Sequence, residues 1–130
     1  MALIGFACWW ISGAYADKAQ RDRFSAAALH TLPIRVAIED QFKRIGTLPV
    51  DFAPFVKQPR YAVEHSKLGR IAFSVTVNGS RLVILFDSDQ GPFAGKVLVY
   101  EAIETNGSIN WTCSVQGIAD RYVPGACHKS

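Results

Sequence analysis

The chain has 130 residues, 49% hydrophobic and 19% charged, which is enough apolar surface for one buried core and too little length for two. This composition excludes wholesale disorder, and no repeat or low-complexity segment interrupts it. The net charge of +3 lies in the N-terminal half, where bases are interspersed with acids. A nucleic-acid surface gathers Lys and Arg on one face, so no nucleic-acid partner is expected.

Residues 2–16 contain no charged side chain; Asp17 and Lys18 are the first. This stretch falls short of the roughly 20 residues a helix needs to cross a bilayer. It therefore reads as a signal-peptide core, an incomplete span, or a helix buried against other helices. Ala14-Tyr15-Ala16 fits a small-x-small cleavage pattern, but no Lys or Arg precedes the apolar run.

From Asp17 to about Ile45 the period is helical. Ile34, Ala37, Ile38, Phe42 and Ile45 share one face, with Arg35, Glu39, Asp40, Lys43 and Arg44 on the other. Glu39 with Lys43 and Asp40 with Arg44 are favourably ordered i,i+4 pairs. Gly46 supplies the stop, with Pro49 just beyond it. Pro33 removes a helical hydrogen bond, which predicts a kink or short break near Leu32.

Residues 47–69 hold Pro49, Pro54 and Pro59 without a clear period and read as a long connecting loop. Beyond Gly69 the pattern alternates. Ile71 to Val77 and Leu82 to Phe86 flank the hairpin signal Asn78-Gly79. Asp87 to Pro92 is a turn, Lys96 to Ile103 a third strand, Asn106-Gly107 a second hairpin turn, and Ile109 to Val115 a fourth strand. The result is an antiparallel meander of four strands.

Several short motifs have a simpler reading. Asp87-x-Asp89-x-Gly91 resembles the start of a calcium loop, but Leu98 stands where a closing Glu belongs, so a polar turn is expected and no metal site. Asn78-Gly-Ser and Asn106-Gly-Ser match a glycosylation pattern that hairpin chemistry already explains. Cys127-His128 lacks a third orienting group and any oxyanion motif, and no phosphate-binding or nucleophile-elbow motif occurs. No catalytic residue, enzyme activity or cofactor is expected.

Of three cysteines, Cys8 lies in the apolar run and reads as a small buried hydrophobe. Cys113 and Cys127 are the pair that a disulfide would join, pointing to an oxidising compartment.

The residues at both ends of this plan resemble a known pattern. Ala14-Tyr15-x-Asp17, then Arg21 and Ser25-x-Ala27, are similar to the helix of type IV pilins, as are Ala37-Ile38-Glu39-x-x-Phe42 and Gly46-Thr47-Leu48-Pro49. Gly107-Ser-Ile109-x-Trp111-x-Cys113 and Tyr122-x-Pro124-x-x-Cys127 resemble the family's ending. The chain departs from the family at its start. With Tyr15 aligned to the pilin tyrosine, Met1 falls about nine residues inside the mature helix; Gly5-Phe6 does not serve as the family's cleavage point, since no basic leader precedes it and Trp10 would then stand in the place of the glutamate. That implies either a start upstream of Met1 or a pilin-like subunit that enters filaments by another route.

The resemblance implies an α+β fold, a long N-terminal helix packed on a four-stranded antiparallel sheet with a C-terminal disulfide loop. It implies an apolar helix segment at 1–16 and a globular domain at 17–130. Leu3, Ile4, Phe6, Trp9, Trp10, Ile11 and Tyr15 would drive assembly, and Phe24, Ile34, Ile38 and Phe42 would seat the helix on the sheet. Cys113 and Cys127 would fix the terminal loop, whose Gln116, Asp120 and Arg121 are candidates for receptor or subunit contact. The expected function is that of a structural or adhesive subunit of a type IV pilus. Its partners would be other pilin subunits, the membrane through the N-terminal helix, and a host or surface receptor. Its place would be the bacterial surface, or the inner membrane facing the periplasm. Two other roles are compatible with the same fold: a secreted or tethered binding module cleaved after Ala16, and a pseudopilin of a type II secretion system.

Overall fold

The structure, a computed structural model, describes residues 2–56, 58, 60–66, 69–123 and 127–129. Side chains are described from Lys18 onward, except those of Ser66, Asp120, His128 and Lys129. The chain forms one long helix, α1 (Ala2–Ile45), and strands β1 (Arg60–Ser66), β2 (Gly69–Asn78), β3 (Arg81–Phe86), β4 (Val97–Thr105), β5 (Ser108–Gln116) and β6 (Cys127–Lys129). The strands make one sheet in sequence order. Neighbours from β1 to β5 are antiparallel, while β6 runs parallel to β5.

The helix ends where Gly46 adopts φ 85° and its N–H donates to the Phe42 carbonyl at 2.7 Å, a left-handed cap open to a residue without Cβ. Of the kink or short break expected near Leu32, the break does not occur: α1 runs through Pro33. Pro33 and Leu29, whose carbonyl loses its donor, both lie on the exposed side of the helix. Water can therefore take the place of the missing N–H.

Phe24, Ala27, Thr31, Ile34, Ile38 and Phe42 form the buried face of α1. Ile45, read from its spacing as part of that face, is 62% exposed because the helix ends there. The buried face closes over Phe73 and Val75 of β2, Leu82, Ile84 and Phe86 of β3, Leu98 and Tyr100 of β4, and Val115 of β5. Each large side chain of this kind contributes roughly 1.5–3 kcal/mol when removed from water. Thr31, fully buried, satisfies its hydroxyl by donating to the Ala28 carbonyl at 2.8 Å.

The predicted strands correspond to β2–β5, and the two hairpins form at the predicted turns. In the second, Asn106 and Gly107 both take positive φ, as a two-residue turn with matching twist requires. The sheet gains two strands beyond the meander. The segment read as a connecting loop over 47–69 contains β1, seven residues paired along β2. Its alternation is too short and too close to prolines to stand out, and the strand depends on β2 for its hydrogen bonds. The same segment is pinned by Phe52, fully buried, whose N–H donates to the Gly79 carbonyl at 3.0 Å.

Candidate assembly and contact surfaces

The C-terminal loop is held at three points. Cys113 of β5 and Cys127 of β6 are bonded, with Cα atoms 4.4 Å apart and a separation of 14 positions in sequence. The bond consumes the thiol of Cys127, so Cys127-His128 offers no thiolate. Between the cysteines, Ile118 and Tyr122 are buried, and the Tyr122 ring lies 6.1 Å from that of Phe93. Arg121 lies over the Tyr122 ring at 4.9 Å and donates to its hydroxyl at 2.8 Å. Of the candidate contact residues, Gln116 and Arg121 are exposed, while the side chain of Asp120 is outside the described set. The loop thus presents polar atoms outward on an apolar footing.

Trp111, prominent in the sequence pattern, proves to be a clasp between helix and sheet. Its indole N–H donates to the Glu39 carboxylate at 2.7 Å, and its ring lies 5.8 Å from Phe52. Glu39 was legible only as half of a surface pair with Lys43. A partner 72 residues away has no local signal.

A second clasp was not foreseen. Arg23 donates to the Gln90 carbonyl at 2.8 Å and to Gln20 at 2.5 Å, which ties the 87–95 turn to α1. Partial burial lowers the pKa of Arg23, and the charge of Asp89 opposes that shift. Gln90 is fully buried and donates to the Arg70 carbonyl at 3.1 Å and to Asp89 at 3.0 Å.

The calcium-like run is engaged by an internal cation. The Arg70 guanidinium bonds to Asp89, lies 3.5 Å from Asp87, and donates to the Tyr61 hydroxyl at 2.9 Å, while that hydroxyl donates to Asp87. The hydrogen bond from Gln90, with Arg70 adding to it, holds the Asp89 carboxyl below its ordinary value. The bond to Asp87 raises the Tyr61 phenol. Among the described residues, no three His, Cys, Asp or Glu side chains gather as a metal site.

The expected seat of the helix is formed as drawn: Phe24, Ile34, Ile38 and Phe42 are 3%, 4%, 0% and 7% exposed. The opposite side of α1 is also apolar, with Leu29, Leu32 and Val36 exposed at 66%, 44% and 44%. A family model for pilin, a bacterial filament protein, matches residues 21–128. The chain belongs to the pilin family. No curated protein sequence matches it.

In this pilin the matched span begins on α1 just before its buried face and runs through the disulfide, so it covers the whole clasped unit of helix, sheet and terminal loop. Pilins are structural subunits of bacterial filaments, and the surfaces that matter are those left for neighbours. Leu3, Ile4, Phe6, Trp9, Trp10, Ile11 and Tyr15, expected from the sequence to drive assembly, lie on helical backbone, but their side chains are outside the described set. Among the described residues no helix is long and apolar enough to cross a membrane.

Proposed function

We propose that this pilin is a structural subunit of a type IV pilus, major or minor, exposed on the bacterial surface and held in the inner membrane before assembly. The observation that carries this reading is the second apolar stripe on α1. Leu29, Leu32 and Val36 recur at three- and four-residue spacing on the side turned away from the sheet, and all three are exposed. A helix with two apolar sides needs two partners. The sheet covers one, and the helix of a neighbouring subunit suits the other. Burying three such side chains stabilises a contact by several kcal/mol, on the order of 1.5–3 each.

In this reading residues 1–16 form the apolar assembly segment and 17–130 the globular domain. Leu3 to Tyr15 pack in the filament core, and in the membrane before that. Gln116 and Arg121, exposed on the anchored terminal loop, support a role for that loop, with Asp120, in contact with a receptor or another subunit. The loop of a calcium-binding pseudopilin is disfavoured by Arg70, which already sits between the carboxylates of Asp87 and Asp89.

The test is Leu32→Asp in a filament-forming strain, with the sheared filament fraction assayed for the subunit. Leu32 lies on the exposed side, so folding should survive, and incorporation is expected to fall at least about tenfold, since burying a charge costs several kcal/mol. Unchanged incorporation would falsify the helix-packing role. A mature chain beginning at Asp17 by mass spectrometry would instead make this a secreted or tethered pilin-fold binding module.

A further inference from the structure

We propose that two copies of this chain pair edge to edge through β1, in an antiparallel register centred on Ala62. β1 is the terminal strand of the sheet, and among the described residues no segment pairs with its outer edge. A row of backbone N–H and C=O groups is therefore left as a template for another strand. Arg60, Tyr61, Val63, Glu64 and His65 are all exposed along it.

The side chains select both the occupant and the register. A two-fold pairing that keeps the sheet continuous must place residues of one face opposite residues of the same face, so it centres on a residue. Centred on Ala62, Arg60 of each copy faces Glu64 of the other, and Tyr61 faces Val63. Each pair occurs twice. Opposite charges and aromatic with β-branched residues are the cross-strand partners that stabilise a ladder. Centring on Val63 gives a longer overlap but sets neither charge opposite its complement. A strand protecting its edge does so most simply with charges of one sign, which repel in every register. β1 carries one of each, spaced to satisfy one another across a two-fold axis.

Tyr61 is fixed within its own sheet. Its hydroxyl is engaged by Asp87 and Arg70, while the residue remains 56% exposed on the outer face beside Val63 at 42%. Such a contact is isologous and closes on itself. If the filament reading holds, it joins subunits of two filaments side by side instead of lengthening one. The pairing itself does not depend on that reading.

The experiment is sedimentation velocity of the full chain in mild detergent, comparing wild type, Arg60→Glu, Glu64→Arg, the double swap R60E/E64R, and an equimolar mixture of the two single variants. Wild type and the double swap should dimerise. Each single variant sets like charges opposite each other twice and should dissociate with a constant on the order of tenfold weaker. The mixture should recover dimer, because a chain with two acids then faces a chain with two bases. Added salt should weaken the wild-type dimer. A monomeric wild type, equal association of all five samples, or a mixture that fails to recover dimer overturns the proposal. Association through α1 would give the equal result, since it is blind to residues 60 and 64.

Discussion

Tyr100 shows how one side chain links packing to solution behaviour. It is 6% exposed beneath α1, with the Arg35 guanidinium 4.4 Å from its ring centre. Burial raises its phenol above the ordinary value, and Arg35 opposes the shift. A raised pKa means the folded state holds the proton more tightly, so this contribution to stability is complete below the unfolded pKa of about 10 and is lost as pH rises through the folded value. Unfolding by denaturant should therefore become easier above about pH 10. Tyr100→Phe keeps the ring and removes the proton, so it should flatten that alkaline fall while changing neutral stability by no more than about 1 kcal/mol. An unchanged alkaline limb in the variant would assign the loss to other groups. Trp111 and Arg23 make the complementary point. Both are partly buried, and each places a donor where an acceptor on a distant element waits.

Among the elements, α1 has the most to satisfy. Its inner face is fixed by Phe24, Ile34, Ile38 and Phe42, its end by Gly46, and its outer stripe is left for a neighbour. At the end of α1, Gly46 at φ 85° holds a left-handed backbone that favours glycine. Gly46→Ala puts a Cβ into the left-handed region and should cost about 1 kcal/mol, read as a lowered midpoint in urea with unchanged slope. A null effect would mean the helix end relaxes into another cap. The edge strand β1 is the opposite kind of element. Its form depends on β2, and its outer edge is unpaired among the described residues.

For the whole molecule, the disulfide decides how the last turn of chain is held. In the chain-entropy account, closing a loop of about 15 residues is worth roughly 3 kcal/mol. Reduction should lower stability by about that amount, and Cys113→Ala with Cys127→Ala should reproduce it, both read by denaturant unfolding. Ile118 and Tyr122 should keep the sheet folded in either case, because their anchorage in the core is independent of the bond. Collapse of the whole domain on reduction would contradict that division of labour. Much of this was legible in the chain. The helix face, its glycine stop, the four central strands and their turns all rest on period and local turn chemistry, which act over a few residues and are written where they act. The cysteine pair and Trp111 with Tyr122 carried the family. What the chain could not disclose depends on distant partners: β1 as a strand, β6 beside β5, continuity of the helix through Pro33, the Glu39–Trp111 and Arg23–Gln90 clasps, and Arg70 between the two aspartates. Each is fixed by which groups fold brings within hydrogen-bonding reach, and that distance is set only when helix and sheet close on one core.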